Sequence, residues 1–191
     1  MNRRKAIAGI TISTASVVLA YSGYKWYRWN VKPDINYLRN KIPLLSALAD
    51  SIIPATDSPG AAEAGVGEFI FMMVNECTEV HQANKFIQGL ESLESYTKSR
   101  FNKEFVDCSA NDKIEVLKHF QEVGRDFNGL VGKAESKYLG RPFFATLKEY
   151  TIMGYCTSEL GATKGLSYLL IPGRYQGCVP LQPGQKCWAT K

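Results

Sequence analysis

The stretch Ile35-Asn-Tyr-Leu-Arg-Asn-Lys-Ile-Pro-Leu-Leu-Ser-Ala-Leu-Ala-Asp-Ser-Ile-Ile53, followed by Pro54, decides the fold class. Its apolar residues recur at steps of three and four, the spacing of one helix face: Leu38, Ile42, Leu45, Ala49 and Ile52. Proline cannot continue a helix, because it lacks an N–H donor and its ring clashes with the preceding turn. The stretch therefore predicts an amphipathic helix over residues 35–53 that Pro54 ends.

The same spacing returns four more times along the chain. Four further helices are marked by apolar residues that fall at 66–77, 86–101, 114–120 and 143–151. Ser109 and Asp112 resemble a capping box that opens the fourth helix. From Ile171 onward, frequent proline and glycine exclude long regular elements. The sequence thus predicts an all-α domain over residues 33–191, with about five helices and an irregular C-terminal tail, preceded by an N-terminal signal or anchor helix.

The first 32 residues have the composition of an export signal. Arg3, Arg4 and Lys5 precede a stretch without charge over residues 6–24. Paired arginines favour the twin-arginine route, which carries folded proteins across a membrane. The stretch approaches the ~20 residues that span a bilayer, so a cleaved signal and a retained membrane anchor both stay open. We expect a periplasmic domain, in either case exported by residues 1–32.

Charge is distributed unevenly and excludes one class of partner. The first 32 residues hold six of the 23 basic residues and none of the 18 acidic ones, so the rest carries 17 basic against 18 acidic residues. The folded part has no basic excess to neutralise phosphates, and nucleic-acid binding is not expected.

The sequence offers few groups for chemistry. The spacing of a dinucleotide loop is missing. Glu115 lies four residues before His119, but neither His81 nor His119 has a second histidine at metal-ligand spacing, and a surface or core position is favoured for both. Asp50, Asp57 and Glu63 could gather around a cation, although a role in caps and turns is favoured because Asp57 opens a Ser-Pro-Gly turn. We predict no catalytic, cofactor-binding or metal-binding residue in this chain.

The cysteines are five in number, and in an oxidising compartment some can pair. An odd count leaves one free or bonded to another chain. The candidates for one or two disulfides are Cys77, Cys108, Cys156, Cys178 and Cys187.

The segment 151–168 is unusual because Gly154, Gly161 and Gly165 stand in helix-like sequence, where each costs about 1 kcal/mol against alanine. Close backbone packing is the usual compensation. Two interpretations stay open: a C-terminal segment packed within the chain itself, and an interface with a partner, where tyrosines are enriched.

Three motifs resemble subunit 3, the small subunit, of the gluconate 2-dehydrogenase type. They are Leu48-Ala-Asp-Ser-Ile-Ile-Pro-Ala-Thr-Asp-Ser-Pro-Gly-Ala61, Gly154-Tyr-Cys-Thr-Ser-Glu-Leu-Gly161 and Ile171-Pro-Gly-Arg-Tyr175. The resemblance covers roughly residues 35–181 and departs from the pattern at Cys156, where an aromatic residue is common.

The resemblance implies a non-catalytic accessory subunit of a periplasmic FAD-dependent dehydrogenase complex. The FAD and the active site would belong to a large subunit, with a multihaem cytochrome c subunit as a further partner, and this chain would supply the export signal and help maturation. The predicted partner interface comprises Gly154, Tyr155, Thr157, Ser158, Glu159, Pro172, Gly173 and Tyr175. The alternative is a stand-alone, membrane-anchored helical protein with its own small-molecule site.

Overall fold

The computed structural model describes residues 23–24, 31–124 and 140–171, and in the C-terminal tail residues 173–174, 177–178, 180–181 and 183–189. This part of the chain is all-helical, as predicted, with six α-helices and no strand. No helix in the described ranges is both long and apolar enough to cross a membrane. The predicted signal or anchor, including Arg3 and Arg4, lies almost entirely outside them.

The predicted first helix is in fact two helices, α1 (Ile35–Asn40) and α2 (Ile42–Ile52). Asp34 caps α1 by accepting a hydrogen bond from the Tyr37 N–H at 3.0 Å. The break falls at Lys41 because Pro43, in the first turn of α2, has no N–H to bond back into the preceding turn. Pro54 follows the end of α2, where the pattern predicted a stop.

The next three helices match their predicted positions. Helix α3 (Val66–Met72) continues through a wider turn, Met73–Cys77, and α4 (Val80–Phe101) ends at Asn102 in a left-handed conformation, φ 53°. Helix α5 (Ala110–Val123) opens with the predicted capping box, in which Ser109 and Asp112 bond each other's backbone N–H.

The central element is α6 (Phe143–Thr157), which contacts α2, α3, α4 and α5. Its Phe143 ring lies 5.1 Å from Phe86 of α4 and 6.0 Å from Phe120 of α5, measured between ring centroids. The N-terminal half of α6 is tied to the start of α4, because Gln82 Nε2 donates to Thr146 Oγ1 at 3.1 Å. The fully buried large side chains include Phe86, Phe105, Leu38, Leu45, Leu48, Ile70, Leu90, Leu93 and Leu147.

Candidate functional site

The loop 54–60, which belongs to the first motif, is closed by backbone hydrogen bonds. The Ala61 N–H donates to the Ile53 carbonyl at 2.9 Å, and inside the loop the Thr56 N–H donates to the Ser58 carbonyl at 3.0 Å. The first bond satisfies the Ile53 carbonyl, which the end of α2 leaves without a helical partner, and the second pairs two backbone groups of the loop itself. The loop is therefore a compact turn on the surface of the domain.

Asp57 takes the turn role that the sequence favours. The Thr56 hydroxyl donates to its carboxylate at 3.0 Å, and this bond, with the backbone N–H of Asp57 and the nearby positive charge of Lys186, lowers the pKa of Asp57 below its usual range. Over the described ranges, no group of three or more His, Cys, Asp and Glu residues could hold a metal ion. The three carboxylates 50, 57 and 63 do not form such a group.

Tyr155, in the second motif, reaches this loop from α6. Its side chain is buried, and its hydroxyl donates to the Pro59 carbonyl at 2.8 Å. A tyrosine hydroxyl in such a place usually has a partner, because leaving it unpaired is costly. The first two motifs of the chain therefore meet at this hydrogen bond.

The backbone after α6 folds closely around Tyr155. The Ser158 hydroxyl donates to the Tyr155 carbonyl at 2.8 Å and accepts from the Gly161 N–H at 3.0 Å. A Cβ atom on Gly161 would lie 1.9 Å from the Tyr155 carbonyl oxygen, and one on Gly165 would lie 2.4 Å from the phenol oxygen. A side chain at either position would force Tyr155 or the backbone around it to move, so glycine is favoured at both. The wide turn Gly161–Gly165 is held against α6 in this way.

The C-terminal tail returns to the region around the wide turn. The Ser167 N–H donates to the Cys187 carbonyl and the Ala189 N–H donates to the Ser167 carbonyl, both at 2.8 Å. The Lys186 ammonium donates to the Lys164 carbonyl at 2.6 Å. Residues 186–189 are thereby held beside the segment that leaves the wide turn.

The predicted interface residues occupy different environments. Gly154 and Tyr155 are buried within the chain: Tyr155 contacts loop 54–60, and a Cβ on Gly154 would lie 2.6 Å from the Phe69 ring. Their close contacts are thus internal. Ser158 is half-buried in the cap of α6, whereas Thr157, Glu159 and Gly173 are exposed. Pro172 and Tyr175 lie outside the described residues. The partner interface stays a prediction. Its accessible part is formed by the exposed residues Thr157, Glu159 and Gly173.

The five cysteines carry free thiols, so the expected disulfides are not seen. Cys77, Cys178 and Cys187 are exposed, and Cys156 is half-buried. Cys108 is buried, and its thiol donates to the Glu104 carbonyl at 3.3 Å. Burial raises the pKa of Cys108, which keeps this thiol protonated.

The two histidines lie on different helices, His119 on α5 and His81 on α4. The His119 ring stacks on Tyr96 with centroids 4.1 Å apart and planes 4° apart, between α5 and α4. His81 is half-buried near Gly140 at the start of α4. His119 therefore contributes to helix packing through its ring face.

A cavity of about 360 Å³ lies between the α1–α2 break, α4 and residues 104–106. On its wall, Glu94 accepts hydrogen bonds from the Tyr37 hydroxyl at 2.8 Å and from the Lys41 ammonium. Burial raises the pKa of Tyr37, and the neighbouring Glu94 carboxylate raises it further. The walls of the cavity thus carry charged side chains, and among them the Glu94 carboxylate is already paired with Tyr37 and Lys41.

The comparisons with known proteins identify one family. The model of the family described as gluconate 2-dehydrogenase subunit 3 matches residues 39–173. No curated protein and no solved structure matches the chain. The matched range includes both motifs that meet at Tyr155 and Pro59, and it extends from α1 past the wide turn after α6. This chain therefore belongs to the gluconate 2-dehydrogenase subunit 3 family.

Proposed function

We propose that this chain is a non-catalytic accessory subunit of a periplasmic FAD-dependent gluconate or sugar dehydrogenase complex. Its N-terminal segment supplies the export signal for a large flavoprotein subunit that lacks one, and its helical domain helps that subunit mature. A multihaem cytochrome c subunit is the expected third member. The observation that carries the proposal is the family match over residues 39–173.

The use of polar groups in the second motif supports this proposal. The Tyr155 hydroxyl bonds the Pro59 carbonyl, the Thr157 hydroxyl bonds the Met153 carbonyl at 2.7 Å, and the Ser158 hydroxyl bonds the Tyr155 carbonyl. A nucleophilic hydroxyl would instead stand beside a general base. These hydroxyl groups hold backbone in place, which suits a domain that presents a shaped surface to a partner.

Co-expression with a signal-less flavoprotein from a neighbouring reading frame tests the proposal. We expect the tagged flavoprotein to retain this chain in a fixed ratio, and flavin absorption to follow the large subunit after the two are separated. The flavoprotein expressed alone should contain less flavin, because maturation is impaired. Stoichiometric flavin on the isolated small chain would overturn the accessory role.

A second candidate function rests on the cavity beside Glu94. Its volume of about 360 Å³ lies at the lower end of the range for small-molecule sites. A stand-alone binding protein would purify without the flavoprotein and would carry a small molecule detectable by mass spectrometry. Ser95 lines the cavity and is exposed, so Ser95→Trp should displace that molecule without disturbing the core. Recovery of such a molecule from the wild type alone would favour this second function.

A further inference from the structure

The segment that leaves the wide turn carries a run of exposed apolar side chains. Tyr168, Leu169, Leu170 and Ile171, together with Trp188 beside them, form what we call the C-terminal strip. Leu170 is 79% exposed, Ile171 81% and Trp188 52%. Single exposed apolar residues are ordinary on protein surfaces, but several together mark an interaction site.

The start of the strip and Trp188 are held in place by backbone hydrogen bonds around the wide turn. Parallel pairing of Ser167 with Trp188 joins the tail to the beginning of the strip. The Leu166 N–H donates to the Gly161 carbonyl at 2.9 Å, which ties the same segment to the wide turn. A surface ordered before binding loses less conformational entropy on association. This backbone anchoring favours recognition of a defined partner.

The chain segments that flank the strip in sequence are basic. Residues 161–191 contain four basic residues, Lys164, Arg174, Lys186 and Lys191, and no acidic one. Lys164, Arg174 and Lys186 are exposed, although Asp57 offsets part of the charge of Lys186. An apolar centre with a basic rim is complementary to an apolar patch with an acidic rim.

The position of the strip favours a protein over a lipid surface. The chain enters the domain at Val31, whose carbonyl accepts a hydrogen bond from Asn84 Nδ2 at 2.6 Å near the start of α4. That region is tied to the N-terminal half of α6 through Gln82 and Thr146, whereas the strip follows its C-terminal end. Fifteen residues of helix are roughly 22 Å long. A membrane-bound residue 31 would therefore place the strip at the far end of α6.

We propose that the C-terminal strip is the docking surface for an acidic-rimmed apolar patch on the large flavoprotein subunit. This inference rests on the proposed function and moves the energetic centre of the interface from Gly154 and Tyr155 to residues 168–171 and Trp188. Tryptophan and tyrosine dominate binding hot spots, so Trp188 and Tyr168 are the expected anchors of the interface.

The test uses the full chain co-expressed with the tagged flavoprotein. The paired change Leu170→Asp and Ile171→Asp should reduce the retained small chain at least tenfold, because it places two charges in a desolvated contact. Val123→Asp is the matched control, since Val123 is 70% exposed at the end of α5, and it should leave retention unchanged. Circular dichroism verifies that both variants stay helical. Lys164→Glu with Arg174→Glu should weaken retention most at low salt, because exposed charges attract each other least when salt screens them.

Alkylation of Cys187, located by peptide mass spectrometry, identifies what covers the strip. We expect the flavoprotein to protect Cys187 at least fivefold and to leave the exposed Cys77 reactive. Equal retention of the Asp-substituted chain would overturn the docking surface while leaving the accessory role intact, whereas failure of the wild type to be retained would overturn the role itself. Protection of Cys187 by phosphatidylglycerol vesicles alone would overturn the protein partner in favour of a lipid surface. Protection that rises with the concentration of the chain alone would overturn it in favour of a second copy.

Discussion

The phenol oxygen of Tyr155 lies 2.8 Å from the Pro59 carbonyl oxygen, and this hydrogen bond joins two residues 96 positions apart, one in each of the first two motifs. It fixes the end of α6 against the loop that follows α2. The wide turn, the C-terminal strip and the returning tail all extend from that end of α6. The bond therefore positions the wide turn, the C-terminal strip and the tail.

Tyr155→Phe should destabilise the domain by about 1 kcal/mol, because the Pro59 carbonyl loses its partner while the ring stays packed. For a chain of this size the loss corresponds to a Tm lower by about 2–4 °C. Thermal unfolding followed by circular dichroism measures it. Tyr168→Phe, on the exposed strip, is the control and should leave Tm unchanged. A Tyr155→Phe chain as stable as the wild type would show that the bond contributes nothing to the fold.

Gly161→Ala should be more damaging than the loss of that bond. The added methyl group would lie 1.9 Å from the Tyr155 carbonyl oxygen and 2.9 Å from the Ser158 hydroxyl, so the backbone must move. Overpacking of this kind costs about 1–3 kcal/mol. Gly173→Ala is the matched control, because a Cβ there meets nothing within 4 Å. Urea unfolding should give a lower midpoint for Gly161→Ala only, and equal midpoints would contradict the close packing.

Local signals in the sequence predicted most of the helical boundaries. The capping box of Ser109 and Asp112 and the stop at Pro54 depend on residues within one turn of each other, so sequence spacing alone reveals them. The break at Lys41 had its own signal in Pro43, yet the apolar spacing continues across it and suggests one helix. Apolar periodicity reports which face is buried and does not report a missing backbone donor.

The site was only partly predictable because its contacts are long-range. The cost of Gly161 and Gly165 in helical sequence indicated close packing, but the group they approach is Tyr155 of the same chain. The sequence spacing of Pro59 and Tyr155 does not predict their hydrogen bond. Trp188 was missed as a surface residue, although the absence of acidic residues after Glu159 could have directed attention to the tail. The interior position of Tyr155 follows from packing that no short motif encodes.

The hydrogen bond from Tyr37 to Glu94 predicts a loss of stability in alkali. Burial and the Glu94 carboxylate raise the folded-state pKa of Tyr37 above the unfolded value of about 10. The stabilisation is therefore complete below pH ~10 and is lost as the pH rises above it, because the unfolded chain releases the proton first. Tyr37→Phe should be less stable than the wild type at pH 7 and should converge on it above pH ~10. Unfolding midpoints across this range measure the difference. Parallel curves for Tyr37→Phe and the wild type would contradict the prediction.

The paired change Arg3→Lys and Arg4→Lys should keep this chain and the flavoprotein in the cytoplasm. The substitution preserves both positive charges and removes the two guanidinium groups, whose planar donor geometry lysine does not reproduce. A twin-arginine route depends on that pair, whereas a route that reads charge alone does not. Arg28→Lys, beyond the uncharged stretch, is the control and should leave export unchanged. Cell fractionation with antibodies to both chains gives the measurement. If both chains of the paired variant still reach the periplasm, the assignment to the twin-arginine route is wrong. If only the small chain stays in the cytoplasm, the flavoprotein has its own signal, and the small chain does not carry the flavoprotein across the membrane.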